Sequence, residues 1–307
     1  MADSPLGRTL LIANPAAHSG KGAAGAQFAE RFLGSYASVT DGYEIRLTGG
    51  PGEAEGMAAD ADGFDTVVAL GGDGVIHEVV NGLMRRPRDG RPQLGVIPLG
   101  SGNDYARTLG MARNDVEAAF AQLVRGSARP VEVGRVNGTH FMQTLSFGLD
   151  AAIALDTTDR RAANTSQEGE ALFVTSGLKI LSRAGRGFPC TARLDDEPPL
   201  ELSALIFAVQ VGPSYGGGFK ICPDADPSDG LLDVCYNVRR PALPHLLALF
   251  GLARTGRHAR SRVVRLRRIR HAELDFAVEP PCQVDGERLT GTRYQIDVIP
   301  DALRVIC

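Results

Sequence analysis

No two of the five cysteines (Cys190, Cys222, Cys235, Cys282, Cys307) are spaced C-x-x-C, and so scattered an odd set gives neither a disulfide framework nor a cysteine zinc site. Reduced thiols of this kind suit a cytoplasmic location. The amino terminus, MADSPLGRTLLIANP, lacks the basic stretch and the long apolar segment of a secretory signal. The longest uncharged run, Leu202 to Phe219, is broken by Gln210, Pro213 and the glycines at 216–218, whereas a spanning helix needs about 20 mostly apolar residues. An excess of one charge is missing too. The 33 basic and 36 acidic residues give a formal net charge of -3 and a pI near 6.1, which argues against a nucleic-acid partner. There is no internal repeat and no low-complexity segment.

What is present fits a folded chain. Hydrophobic residues at 43% and charged residues at 22% are near globular averages, and 307 residues leave room for about two domains. The first third alternates short β-rich runs (9–13, 43–47, 66–70, 94–97) with helix-length amphipathic stretches, the last ending at Gly126, which predicts a parallel sheet with crossover helices. From Pro130 the rhythm changes to PVEVGRV, THFMQTLSF, LSALIFAVQV, LLDVCYNV, SRVVRLRR, AELDFAV and YQIDVI, which predicts an antiparallel sandwich or barrel with helices at about 170–184 and 242–256. The expected division is 1–130 and 131–307, with the extreme C-terminal strand free to return to the first domain.

Glycine, at 37 residues, clusters in three loops that follow predicted strands: NPAAHSGKG (14–22), GGDG (71–74) and PLGSGND (98–104). Ligands of open α/β sheets bind at the carboxyl ends of the strands, and glycine lets backbone N–H groups approach phosphate oxygens. Any one loop reads as a tight turn, but three together favour a polyphosphate. Neither G-x-G-x-x-G nor G-x-x-x-x-G-K-[ST] is present, so Lys21 is a solvated or phosphate-facing lysine rather than a P-loop lysine.

Asn14-Pro15 with Ser19-Gly20, GGDGVIHEVVNG (71–82) and PLGSGNDYAR (98–107) resemble the catalytic signature of the diacylglycerol kinase and sphingosine kinase superfamily of lipid kinases. PDADPSDGLLDV (223–234), GRH (256–258) and VDGE (284–287) resemble later landmarks of that family in the expected order. The resemblance implies an α/β nucleotide domain related to NAD kinases and phosphofructokinases, a β-rich lipid-binding domain, and phosphorylation of a hydroxyl of diacylglycerol or a similar lipid by ATP with Mg²⁺. It implies ATP contacts from Asn14, Thr48, Gly71, Gly72, Asp73, Gly74, Val75, His77, Ser101, Gly102 and Asn103, although Thr48 and His77 also read as structural. It implies Mg²⁺ orientation by Asp73, Asp104 and a third acid at Glu132, where the family more often has aspartate and where an edge-strand charge is the equal alternative. Val75 stands where relatives usually carry threonine. Asp226, Asp229 and Leu231 resemble a structural Mg²⁺ loop, although turn aspartates often hold no metal.

By itself D-G between apolar runs reads as a hairpin turn. The resemblance instead makes Glu287 the general base, with Asp285 beside it. Sphingosine kinases hold the lipid amine with an acid at the position of Ala152, so a neutral lipid is expected; Asp150, read as lying on a strand, would share that face. Between Arg254 and Arg270 lie eight arginines and no acid, a patch suited to an anionic membrane surface or simply a solvated strand face. A homodimer is left open. The rivals are a soluble NAD kinase-like enzyme and a non-catalytic lipid-binding relative.

Overall fold

RTLLIA, GYEIRL, TVVALG and QLGVIP each place β-branched and aliphatic residues in a short run closed by a glycine- or proline-bearing loop, and in the computed structural model each is a strand: β1 (Arg8–Ala13), β2 (Gly42–Leu47), β3 (Thr66–Gly71) and β4 (Gln93–Pro98). The structure describes residues 4–36, 38–162, 169–182 and 185–307. These four strands form a parallel sheet in the order β2-β1-β3-β4, with β1 and β3 central, as their uninterrupted burial requires. The helices between them are α1 (Ala17–Ser35), α2 (Glu53–Ala59), α3 (Asp73–Met84), α4 (Asp104–Leu109) and α5 (Val116–Arg125), the last begun by the Asp115 side chain accepting from Ala118 N–H at 2.9 Å.

The chain divides into two compact units, Met1–Val131 with Asp301–Cys307, and Glu132–Pro300. The first unit is completed by the end of the last strand, where Val305 lies opposite Leu94 of β4. The second contains, in chain order, β5 (Ala128–Val136, entering from the first unit), β6 (Thr139–Phe141), β7 (Thr144–Gly148), α6 (Leu149–Ala162), α7 (Gly169–Leu181), β8 (Phe188–Leu194), β9 (Leu200–Ala204), β10 (Ile206–Gln210), β11 (Leu232–Asn237), α8 (Leu243–Ala253), β12 (Val264–Ile269), β13 (His271–Phe276), β14 (Cys282–Val284), β15 (Glu287–Arg288) and β16 (Arg293–Ile306, leaving for the first unit). One antiparallel sheet runs β16-β13-β8-β9 and the other β12-β11-β10-β7-β14-β15. Phe147, Phe207, Val234, Leu274, Phe276 and Tyr294 from both sheets fill the layer between them, so the second unit is a sandwich rather than a barrel. Among the described residues no helix is long and apolar enough to cross a membrane.

Two expectations need correction. LSALIFAVQV is not one strand, because β9 belongs to one sheet and β10 to the other, with the corner at Leu205. Asn237 holds that corner: its Oδ1 accepts from Leu205 N–H (2.8 Å) and Ile206 N–H (3.1 Å), and its Nδ2 donates to Ser203 C=O (3.0 Å). Likewise THFMQTLSF is split into β6 and β7, and the chain then enters helix α6 rather than more strand. The helix expected at about 170–184 is α7; positions 183 and 184 lie outside the described residues.

Within the first unit α2 and α3 cross so closely that a Cβ on Gly82 would sit 2.2 Å from Glu55 O, and the Glu78 carboxylate caps α2 by accepting from Gly52 N–H (2.8 Å) and Ala54 N–H (3.0 Å). Gly82→Ala should therefore lower stability by roughly 1–3 kcal/mol, as overpacking does. Denaturant melts with unchanged midpoint and slope would show that the crossing tolerates a methyl group.

Candidate functional site

Register brings the ends of four strands to one edge. Ala13 lies opposite Leu47 and Leu70, and Gly71 opposite Pro98. The ladder continues one step beyond, with Asn14 N–H donating to Leu70 C=O (3.1 Å), Thr48 N–H to Ala13 C=O (2.9 Å) and Leu99 N–H to Gly71 C=O (2.8 Å). Asn14, Thr48, the 71–75 segment and Ser101–Asp104 therefore share the carboxyl edge of the sheet. Asn14 Oδ1 accepts from Ala16 N–H at 2.9 Å, Thr48 is buried and Ser101 is half-buried.

The second and third glycine loops press together. A Cβ on Gly100 would lie 2.7 Å from Gly72 Cα, and a Cβ on Gly102 would lie 2.8 Å from Asp73 Oδ2 and 3.3 Å from Asp104 Oδ2. The two carboxylates thus converge beside a residue that has no side chain. Asp73 opens α3 and its Oδ1 accepts from Tyr105 N–H at 3.3 Å; Asp104 opens α4, with its Oδ1 3.7 Å from Arg107 Nε. Among the described residues no group of three or more His, Cys, Asp or Glu is arranged to hold a metal. A pair is nevertheless what Mg²⁺ uses beside a nucleotide, one or two carboxylates with phosphate oxygens and waters filling the rest, so this pair fits the ion.

The other residues expected to contact nucleotide divide by how their side chains are used. Val75 packs its methyls on Gly71, which leaves its backbone N–H at the start of α3 as the group it could offer a ligand. Buried Asn103 donates to Gly100 C=O (2.8 Å) and Asn114 Oδ1 (3.2 Å), while Asn114 Oδ1 also accepts from Gly100 N–H (3.0 Å). That side chain shapes the loop from inside. His77 is buried and its Nε2 accepts from Asn81 Nδ2 at 3.2 Å within α3, a structural placement. Asn114 and Glu78 escaped the sequence reading, since neither belongs to a glycine loop and their partners are distant in the chain.

In the second unit Glu132 is 1% exposed and its Oε2 accepts from Gly230 N–H at 2.5 Å, tying β5 to the 226–231 loop. Burial pushes its carboxyl up to about 7, against the lowering effect of that hydrogen bond. In the loop, Asp226 Oδ1 accepts from Ser228 N–H (3.0 Å) and Oγ (2.6 Å), Asp229 Oδ1 accepts from Leu231 N–H (3.0 Å), and Asp229 Oδ2 pairs with Arg268. The VDGE segment is a β14–β15 hairpin whose central residues have φ of 47° at Asp285 and 96° at Gly286. Asp285 accepts from three backbone N–H groups, Met142 (2.9 Å), Gln143 (3.1 Å) and Thr144 (2.8 Å). Its carboxylate is committed to anchoring the turn, whereas Glu287 is exposed on β15.

Sequence reasoning missed a cavity. Leu149, Ile153, Phe173, Phe219, Leu246 and Phe250 are among its walls, and it is partly open to solvent. Its polar lining is Asp150, Asn237 and His258. Asp150 and Ala152 are in α6, about 200° apart around the helix, so they do not share a face as they would on a strand. Asp150 is 8% exposed, its Oδ2 buried without a hydrogen-bond partner, and burial pushes its carboxyl up to about 7 despite a hydrogen bond from Ser146. His258 Nε2 donates to Ile221 C=O at 3.1 Å, which leaves the buried Nδ1 as an acceptor; burial lowers this imidazole's pKa, keeping it neutral. The cavity therefore offers an acid proton and a neutral acceptor in an apolar wall.

Both halves of the chain match known protein families. Residues 8–136 match the family described as diacylglycerol kinase catalytic domain, and residues 143–307 the YegS C-terminal NAD kinase beta sandwich-like domain. A diacylglycerol kinase of Bacillus subtilis (strain 168) is 30% identical over 225 residues, 73% of this chain and 71% of its own. A Pseudomonas aeruginosa (strain UCBPP-PA14) protein named "Probable lipid kinase YegS-like" is 32% identical over 269 residues, 85% of this chain and 83% of its own. The crystal structure of a diacylglycerol kinase from Bacillus anthracis str. Sterne superposes with a TM-score of 0.79 at 23% identity, covering 97% of this chain and 96% of that one, a likeness of fold.

Asp150 makes the stability of the chain depend on pH. An unfolded aspartate titrates near 3.9, so the cost of ionising this one in the fold is small at pH 4, grows as pH rises to about 7 and is constant above. Asp150→Asn should melt at a higher temperature than the parent at pH 8 and lose that advantage at pH 4. A melting difference that does not change with pH would show that the carboxyl titrates alike in the folded and unfolded chain.

Proposed function

Because the chain belongs to the diacylglycerol kinase family of lipid kinases, we propose that it transfers the γ-phosphate of ATP, with Mg²⁺, to a hydroxyl of diacylglycerol or a similar neutral lipid. The observation that carries this reading is the cavity of the second unit. Its walls are aliphatic and aromatic, and its polar groups are few, His258 being held neutral and Asp150 keeping its proton up to about pH 7, which suits an acyl lipid and would leave a soluble dinucleotide's phosphates and hydroxyls unsatisfied. A neutral Asp150 can donate to an ester or hydroxyl oxygen. A cationic sphingoid amine would require its ionisation in apolar surroundings.

On the first unit the N-terminus of α3 and the backbone of the 71–75 and 98–104 loops supply donors and a favourable dipole for the triphosphate. Asp73 and Asp104 would hold Mg²⁺, which when bound neutralises charge on the transferring phosphoryl group. Glu287 accepts the proton of the lipid hydroxyl as its oxygen bonds to the γ-phosphorus; the bond from that phosphorus to the β–γ bridging oxygen breaks, and ADP leaves. Asp285 positions the hairpin that carries Glu287 through its three backbone hydrogen bonds. Exposure suits Glu287 for the base because a proton acceptor must remain open to substrate.

Asp73→Asn should abolish diacylglycerol phosphorylation in mixed micelles while the protein melts normally; retained turnover removes Asp73 from the mechanism. Glu287→Gln should lower kcat by about 10²- to 10⁴-fold with ATP affinity preserved, as loss of a general base does. Unchanged kcat would move that role elsewhere. In the same micelles diacylglycerol should outrun sphingosine, and the reverse order would make Asp150 the partner of an amine.

A further inference from the structure

Helix α8, LPHLLALFGLA, contains no Asp, Glu, Lys or Arg; exposed His245 is its one polar side chain, and the rest of its circumference is apolar, the composition of a helix with apolar material on more than one side. At 100° per residue, Leu246, Leu249, Phe250 and Ala253 fall within one arc and line the cavity. Leu247, Ala248, Gly251 and Leu252 occupy the opposite arc and are exposed, Leu247 at 37% and Leu252 at 40%, with exposed His245 beside Leu252 at one margin and Leu243, 45% exposed, beside Phe250 at the other. Arginines bracket this face. Arg239 and Arg240 precede the helix, and Arg254, Arg257, Arg260 and Arg262 follow it, all exposed, those at 257–260 in a 3-10 turn; Arg254 pairs with Glu170.

We propose that α8 is the membrane-docking element of this protein, its leucine face seated in the apolar boundary of an anionic lipid bilayer and the arginines at its two ends resting among the headgroup phosphates. Long arginine side chains can reach outward past an apolar face, so a leucine surface with cations at both ends fits the interface of an anionic bilayer. The same helix walls the cavity on its inner side, which puts the bilayer and the candidate lipid cavity on opposite faces of one helix. Not all of the arginine-rich segment takes part. Arg265 lies opposite Tyr236 and Arg267 opposite Val234, side chains of the sandwich interior, whereas Leu266 lies opposite Cys235, which clusters with Leu249. Arg265 and Arg267 therefore leave β12 on the face away from α8, and Arg268 is paired with Asp229 and lies 4.0 Å from Asp233. A second copy is a poor occupant, since packing two such helices together would bring arginine clusters against each other at either end.

The docking idea rests on the lipid-kinase reading for its purpose but is tested without turnover. Vesicles of phosphatidylcholine alone, and of phosphatidylcholine mixed with phosphatidylglycerol, would be sedimented with the full chain, with Leu247→Glu/Leu252→Glu and with Arg257→Glu/Arg262→Glu, each variant first shown to melt like the parent. The parent should prefer the anionic vesicles. The leucine variant should lose at least tenfold in binding, and the arginine variant should lose its preference for anionic lipid, by about fivefold for each arginine. The parent's advantage over the arginine variant should shrink in 1 M salt, where the Debye length is about 3 Å. Equal binding of the parent to both vesicles, or full binding by the leucine variant, would overturn the proposal. So would a parent dimer in vesicle-free sedimentation velocity that the leucine variant dissolves, which would assign the face to self-association. Turnover of a short-chain diacylglycerol dissolved as monomers should be equal in all three proteins. Its absence from the parent, with the binding pattern intact, would overturn the kinase reading alone.

Discussion

Everything proposed for the first unit depends on how closely two glycine loops can approach. Where the β3 and β4 loops meet, Gly100 approaches Gly72 at a distance that excludes a Cβ on Gly100, and this contact carries Asp73 and Asp104 to the same spot beside Gly102. Two carboxylates brought together without a cation repel, and they remain useful only because helix N-termini and backbone N–H groups surround them. Asn103 and Asn114 stiffen the arrangement from below, so the site is built on backbone geometry with side chains as struts. At Val75 the side chain only packs against Gly71, so a hydroxyl there is not needed to hold the loop.

The second unit keeps an apolar cavity separate from its own closed core. The sandwich core is filled from both sheets. The cavity lies outside it, between the back of β10 and β11 and the layer of α6, α7 and α8. The corner at Leu205, pinned by Asn237, separates the two environments, because the chain changes sheets there and its next residue, Ile206, belongs to the cavity wall.

The strands of the parallel sheet were legible because each is a short β-branched run ending at a loop whose glycines mark the ligand edge. Helix α6 was not. In LDAAIALDTTDRRA the residues Leu149, Ala151, Ile153 and Leu155 alternate with Asp150, Ala152, Ala154 and Asp156, which imitates the period of a strand, and only the run of alanines hints at helix. The β9–β10 corner was hidden for the opposite reason, since an apolar run continues through it without a turn residue. Motif residues could be singled out from sequence as candidates, but which of their side chains act as struts could not, because Asn103 is held by Asn114 and Asp285 by the backbone of 142–144.

Asp150 shows what burial adds to a residue whose identity alone says little. On a surface it would be one more carboxylate among many acids. Held 8% exposed in an apolar wall, with one oxygen unpartnered and its proton retained to about pH 7, it becomes a hydrogen-bond donor facing the cavity. His258 is driven the other way by the same cause, losing its charge and presenting an acceptor. A cavity whose two titratable groups are both neutralised by burial selects against charge in its occupant, since a charged guest would need to reverse one of those shifts. The same desolvation that makes the wall apolar therefore disfavours a charged occupant.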